Sequence, residues 1–65
     1  MKRNKFIRYL KSNGCVLIRE GRKHSLYKSA TGKLSTVPRH TDIKERLCQK
    51  ICKDLEIPDI LKKKA

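Results

Sequence analysis

Arg19-Glu20-Gly21-Arg22-Lys23-His24-Ser25-Leu26-Tyr27 is the stretch on which the reading of this chain turns. It leaves one short apolar run, passes a glycine and enters a second extended run, so it reads as a turn between two strands. It also sets a single imidazole among four cations, Arg19, Arg22, Lys23 and Lys28. Histidine titrates closest to neutral pH, which suits it to proton transfer. Clustered cations attract polyanions and stabilise charge developing on phosphate. Together these features suggest an acid–base group at a phosphodiester. The bland alternative is a solvated histidine whose ring lies on an exposed strand face.

Working outward, Cys15-Val16-Leu17-Ile18-Arg19 is apolar and β-branched and is expected as the first strand. Before it, residues 2–13 read as an amphipathic helix. Phe6, Ile7, Tyr9 and Leu10 recur at helical spacing among Lys2, Arg3, Lys5, Arg8 and Lys11. Asn13-Gly14 supplies the stop, with Gly14 suited to a left-handed position just past the helix. On the other side, His24 to Ser29 is the second strand, Ala30-Thr31-Gly32-Lys33 a turn, and Leu34-Ser35-Thr36-Val37 the third strand. Connections this short make the three strands an antiparallel meander.

Pro38-Arg39-His40-Thr41 closes the sheet, and Thr41 with Asp42 is expected to open a second helix. Ile43, Leu47, Cys48, Ile51, Cys52 and Leu55 trace its apolar stripe. Pro58 ends it or begins a short extra turn, and residues 57–65 read as that turn and a basic tail, Lys62-Lys63-Lys64-Ala65. The order is α-β-β-β-α. Two helices, each apolar on one face, pack on one side of the sheet, giving a two-layer α+β domain. Double-stranded-RNA-binding domains share this order and layering.

Composition agrees with a polyanionic partner. Eighteen Lys and Arg against six Asp and Glu give the 65-residue chain a formal charge of +12, spread along its whole length. Residues 1–65 make one domain, with no room for a cofactor domain. Cys15, Cys48 and Cys52 form no CxxC pair, and MKRNKFIRYLKSNG lacks the apolar run of a signal peptide. Reduced thiols and a cytoplasmic location are expected, and nothing could span a membrane.

The ordered motifs Gly14-x-x-x-x-Arg19-Glu20-Gly21, Lys23-His24-x-x-Tyr27 and Thr36-Val37-Pro38-Arg39-His40, followed by a helix, resemble the HicA toxins. These are small messenger-RNA interferases of HicA/HicB toxin–antitoxin systems, and the resemblance covers roughly residues 4–57. It implies a fold like a double-stranded-RNA-binding domain, endoribonuclease activity and one active-site histidine on the second strand, here His24. It also implies a HicB-like antitoxin that covers the site. The chain departs at Arg22, a bulky residue where many members have a second small one after the glycine.

On this reading His24 removes the proton of an RNA 2′-hydroxyl, and cations stabilise the pentavalent phosphorus, with no metal or cofactor. Arg22, Lys23, Lys28 and Arg39 are the candidates for holding RNA phosphate, and Gly21 serves the turn. His40 is expected chiefly to anchor the start of the second helix, with catalysis the lesser alternative. Tyr9 and Tyr27 could stack on bases but fit the core better in so small a domain. Cys48 and Cys52, one helical turn apart on the apolar stripe, read as buried thiols rather than metal ligands. The rival function is a non-catalytic RNA-binding module of the same fold. A third is an adaptor for an acidic protein.

Overall fold

In the computed structural model, which describes residues 1–60, the elements follow in the expected order. They are α1 (Arg3–Ser12), β1 (Val16–Glu20), β2 (His24–Lys28), β3 (Leu34–Pro38) and α2 (Glu45–Leu55). The basic tail Lys62–Ala65 lies outside the described residues. The strands form one antiparallel sheet in the order β1-β2-β3.

Phe6 and Leu10 of α1 are fully buried, and Ile7 and Tyr9 pack against the same core from the helix margin. The helix stops as its sequence requires. Gly14 has φ of 84°, and the Gly14 and Cys15 amides donate back to the Lys11 and Leu10 carbonyls. A Cβ there would be strained by the left-handed backbone and would approach Ala30 Cβ at 3.3 Å.

Strand alternation sorts the sheet into two faces. Ser25 and Tyr27 of β2 and Ser35 and Val37 of β3 point into the helical layer and are buried. His24, Leu26 and Lys28 point to the open face, in register with Pro38, Thr36 and Leu34. Tyr27 and Val37 of the sheet, with Phe6, Leu10, Cys48, Ile51, Cys52 and Leu55 of the helices, belong to one core. Each fully buried aliphatic or aromatic side chain contributes about 1.5–3 kcal/mol over an exposed one.

β1 is different. Every residue in it is exposed, including Val16, Leu17 and Ile18 at 53, 42 and 50%. The helical layer covers β2 and β3 and leaves this edge uncovered. The register slips between Leu17 and Arg19, so Ile18 stands as a bulge. A bulge twists an edge strand and discourages continued pairing with other chains.

The start of α2 departs from the sequence expectation. Thr41 is not its N-cap; the helix begins at Glu45 after an extended Lys44, and Glu45 supplies the acid of the first turn. Residues 41–43 instead pair with the N-terminus. The Arg3 amide donates to the Thr41 carbonyl at 2.8 Å, and the Ile43 amide to the Met1 carbonyl at 2.8 Å. Backbone partners won over a side-chain cap because they satisfy several groups together. α2 ends before Pro58 is reached, at a left-handed Glu56 (φ 59°), with the Ile57 amide donating to the Cys52 carbonyl.

The three cysteines are free and buried, and burial raises each thiol above its ordinary pKa. Tyr27 is core, and Tyr9 packs against it while its hydroxyl donates to the Pro58 carbonyl. Among the described residues no helix is long and apolar enough to cross a membrane.

Candidate functional site

His24 is the first residue of β2, directly after the hairpin turn, and its side chain is exposed on the open face of the sheet. The turn is tight because of Gly21. Its amide donates to the His24 carbonyl at 2.7 Å, and a Cβ on Gly21 would lie 2.7 Å from that same oxygen. No side chain fits there without moving the backbone of His24.

A clamp of four side chains holds the strand that carries His24. Ser25, its immediate neighbour, points the other way and is fully buried. Its hydroxyl accepts from Arg3 Nη2 at 3.0 Å and donates to Glu20 Oε1 at 2.9 Å. Arg3 Nε donates to the carbonyl of Pro38, the ladder partner of His24, at 2.9 Å. Glu20 Oε1 also meets Arg39 Nη1 at 3.4 Å, and Arg39 Nη1 donates to the Gly21 carbonyl at 2.9 Å. The helix, all three strands and the turn are thereby tied together beneath the imidazole. Ser25 is the buried centre of this network, and Glu20 and Arg39 are its half-exposed rim; a network whose members are satisfied favours one geometry.

Two cavities open beside His24. One, of about 510 Å³, is lined also by Pro38, His40, Asp42, Ile43, Lys44 and Leu47. The other, of about 480 Å³, is lined by Lys23, His24, Arg39 and His40. Two imidazoles and two cations around one depression can bind a phosphodiester and move protons at it.

The residues singled out from sequence divide accordingly. Lys23 and Arg39 stand with His24 at the second cavity. Arg22 is exposed in the turn and lines neither cavity. Lys28 shares the face of His24 but sits at the far end of β2, roughly 13 Å away at strand spacing. His40 lies ahead of the helix rather than at its cap, and it enters both cavities.

The clamp is not visible in the spacing of the sequence. In the sequence Arg3 is one basic residue among several on its helix, and local spacing gives Ser25 and Glu20 no partner. One signal was available: Ser25 alternates with Tyr27, so a core-facing Tyr27 puts a serine hydroxyl in the interior, where it needs partners.

Comparison with known families bears on most of the chain. The family described as HicA toxin of bacterial toxin–antitoxin matches residues 3–57. No curated protein and no solved structure matches the chain.

Proposed function

The chain belongs to the HicA family of toxins from bacterial toxin–antitoxin systems, and from that premise we propose that it is a metal-independent endoribonuclease that cuts messenger RNA in the cytoplasm. His24 is the proton-transfer group. The observation that carries this reading is the placement of His24: exposed, at the mouth of a cavity lined by Lys23 and Arg39, on a strand clamped from below.

RNA brings its own nucleophile. The 2′-hydroxyl beside each phosphodiester attacks the phosphorus once its proton is removed, so the protein need only supply a base and stabilise the phosphorane charge. His24 accepts that proton, and Lys23 and Arg39 face the phosphate oxygens. Arg39 keeps one nitrogen on Glu20 and the Gly21 carbonyl, which fixes the direction of its fork while its other N–H groups remain for the substrate. The net charge of +12 draws RNA to the surface and lends no sequence preference by itself.

A HicB-type antitoxin is the partner that the family implies, and we infer that it neutralises the toxin by covering the His24 strand and its cations. Acidic groups on the partner complement that surface, and the uncovered β1 edge with Val16 and Leu17 offers apolar area beside it.

The reading is tested by growth after induction of the wild-type chain and of His24→Ala, with RNA cleavage followed in EDTA. Arrest and cutting by the wild type, both lost in the variant, are expected. A single 2′-deoxy nucleotide at the cleaved position should block cutting, because the nucleophile is gone. Equal behaviour of the two proteins would remove His24 from the chemistry and leave a non-catalytic RNA-binding module of the same fold.

A further inference from the structure

Transesterification at an RNA phosphodiester needs two proton transfers, one from the attacking 2′-hydroxyl and one to the departing 5′-oxygen. His24 accounts for only the first. We propose that His40 makes the second, as the general acid that works opposite His24. The proposal rests on the nuclease reading.

Both cavities beside His24 are lined by His40 as well. Its position is held from either side by backbone. The Arg39 amide donates to the Lys23 carbonyl at 3.2 Å, which extends the β2–β3 ladder one step past Pro38. The Thr41 carbonyl accepts from the Arg3 amide at 2.8 Å. His40 thus sits between two anchored residues, two positions beyond the ladder partner of His24. Arg3 serves both histidines, since its guanidinium also holds Pro38 and Ser25. The charged groups that face the pair are Lys23 and Arg39 at one cavity and Asp42 and Lys44 at the other.

The chemistry requires one ring neutral, to take a proton, and the other protonated, to give one. Neutral His24 takes the proton from O2′. The O2′–phosphorus bond forms and the phosphorus–O5′ bond breaks. O5′ takes the proton carried by His40. The products are a 2′,3′-cyclic phosphate and a 5′-hydroxyl, and the enzyme resets by exchanging one proton at each ring with water.

A short RNA with one cleavable linkage, made with either oxygen or sulfur at the bridging 5′ position, tests the assignment. A thiolate leaves without needing a proton. His40→Ala should cut the oxygen substrate at least about 100-fold more slowly than wild type and the sulfur substrate at close to the wild-type rate. His24→Ala should lose both. Thermal melting of each variant, with His40→Asn as a second replacement, separates lost chemistry from lost fold. Wild-type cutting of the oxygen substrate by both His40 variants would overturn the proposal. So would equal losses on the two substrates in folded variants, or sulfur rescue of His24→Ala instead. A wild-type chain that cuts neither RNA would remove the nuclease reading and this proposal with it, whereas failure of the His40 pattern alone leaves that reading standing.

Discussion

Arg3 Nη2 lies 3.0 Å from Ser25 Oγ, so a helix residue at the start of the chain holds the strand position next to His24. Replacing Arg3 with Met removes this bond and the one to the Pro38 carbonyl while keeping most of the side-chain stem. Two hydrogen bonds from a charged group should cost about 2–3 kcal/mol in folding stability. Urea unfolding should show a lower midpoint at unchanged slope, and RNA cleavage should fall in the folded variant as well. A midpoint within error of wild type would mean that the clamp does not hold the site.

Gly21→Ala places a methyl group 2.7 Å from the His24 carbonyl oxygen, a distance that no relaxation of a flexible side chain can relieve. The backbone at His24 must move. A stability loss of about 1–3 kcal/mol is expected, with cleavage reduced by more than the unfolded fraction accounts for. Thermal melting and cleavage rates measured well below the melting temperature distinguish the two effects.

Lys23 and Lys28 carry the same charge but differ in distance from the imidazole. Lys23→Gln should lower kcat/KM by roughly tenfold or more, the size of one charge-assisted hydrogen bond of about 1.5 kcal/mol. Lys28→Gln should weaken RNA binding with salt but leave the cleavage step nearly unchanged. Single-turnover kinetics at saturating protein report the difference. Equal losses in that step would place the reacting phosphate elsewhere on the sheet.

Alkaline pH should destabilise the fold through its thiols. Burial raises Cys15, Cys48 and Cys52 above the ordinary value of 9.0, and Tyr27 above 10.0. Between the unfolded and folded pKa values the native state holds more protons than the unfolded one, so stability falls as pH rises. The thiol contribution is complete below pH 9.0 and is lost progressively above it. Urea midpoints from pH 7 to 10 check this, and a thiol reagent should label the native chain slowly and the denatured chain at all three cysteines.

The elements themselves were legible in the sequence because each carries its own period. Phe6, Leu10, Ile51 and Leu55 repeat at helical spacing, and Gly14 marks a stop that only glycine makes without strain. His24 was legible as a candidate because an imidazole beside Gly21 and Lys23 is a local pattern that matches a family over residues 3–57. What the sequence alone determined, then, is the α-β-β-β-α order, the core stripe and the histidine at the head of the second strand, since all three depend on residues within a few positions of one another. Tertiary structure decided the rest. Met1 and Arg3 pair with residues 41–43 across the domain, which displaces Thr41 from the helix cap and brings His40 beside His24. It left apolar Val16, Leu17 and Ile18 on an uncovered edge, and it separated Lys23 from Lys28, two cations equal in sequence. Those outcomes depend on which backbone groups satisfy one another over forty residues of chain and on where the helical layer comes to rest. Neither quantity is carried by the spacing of neighbours.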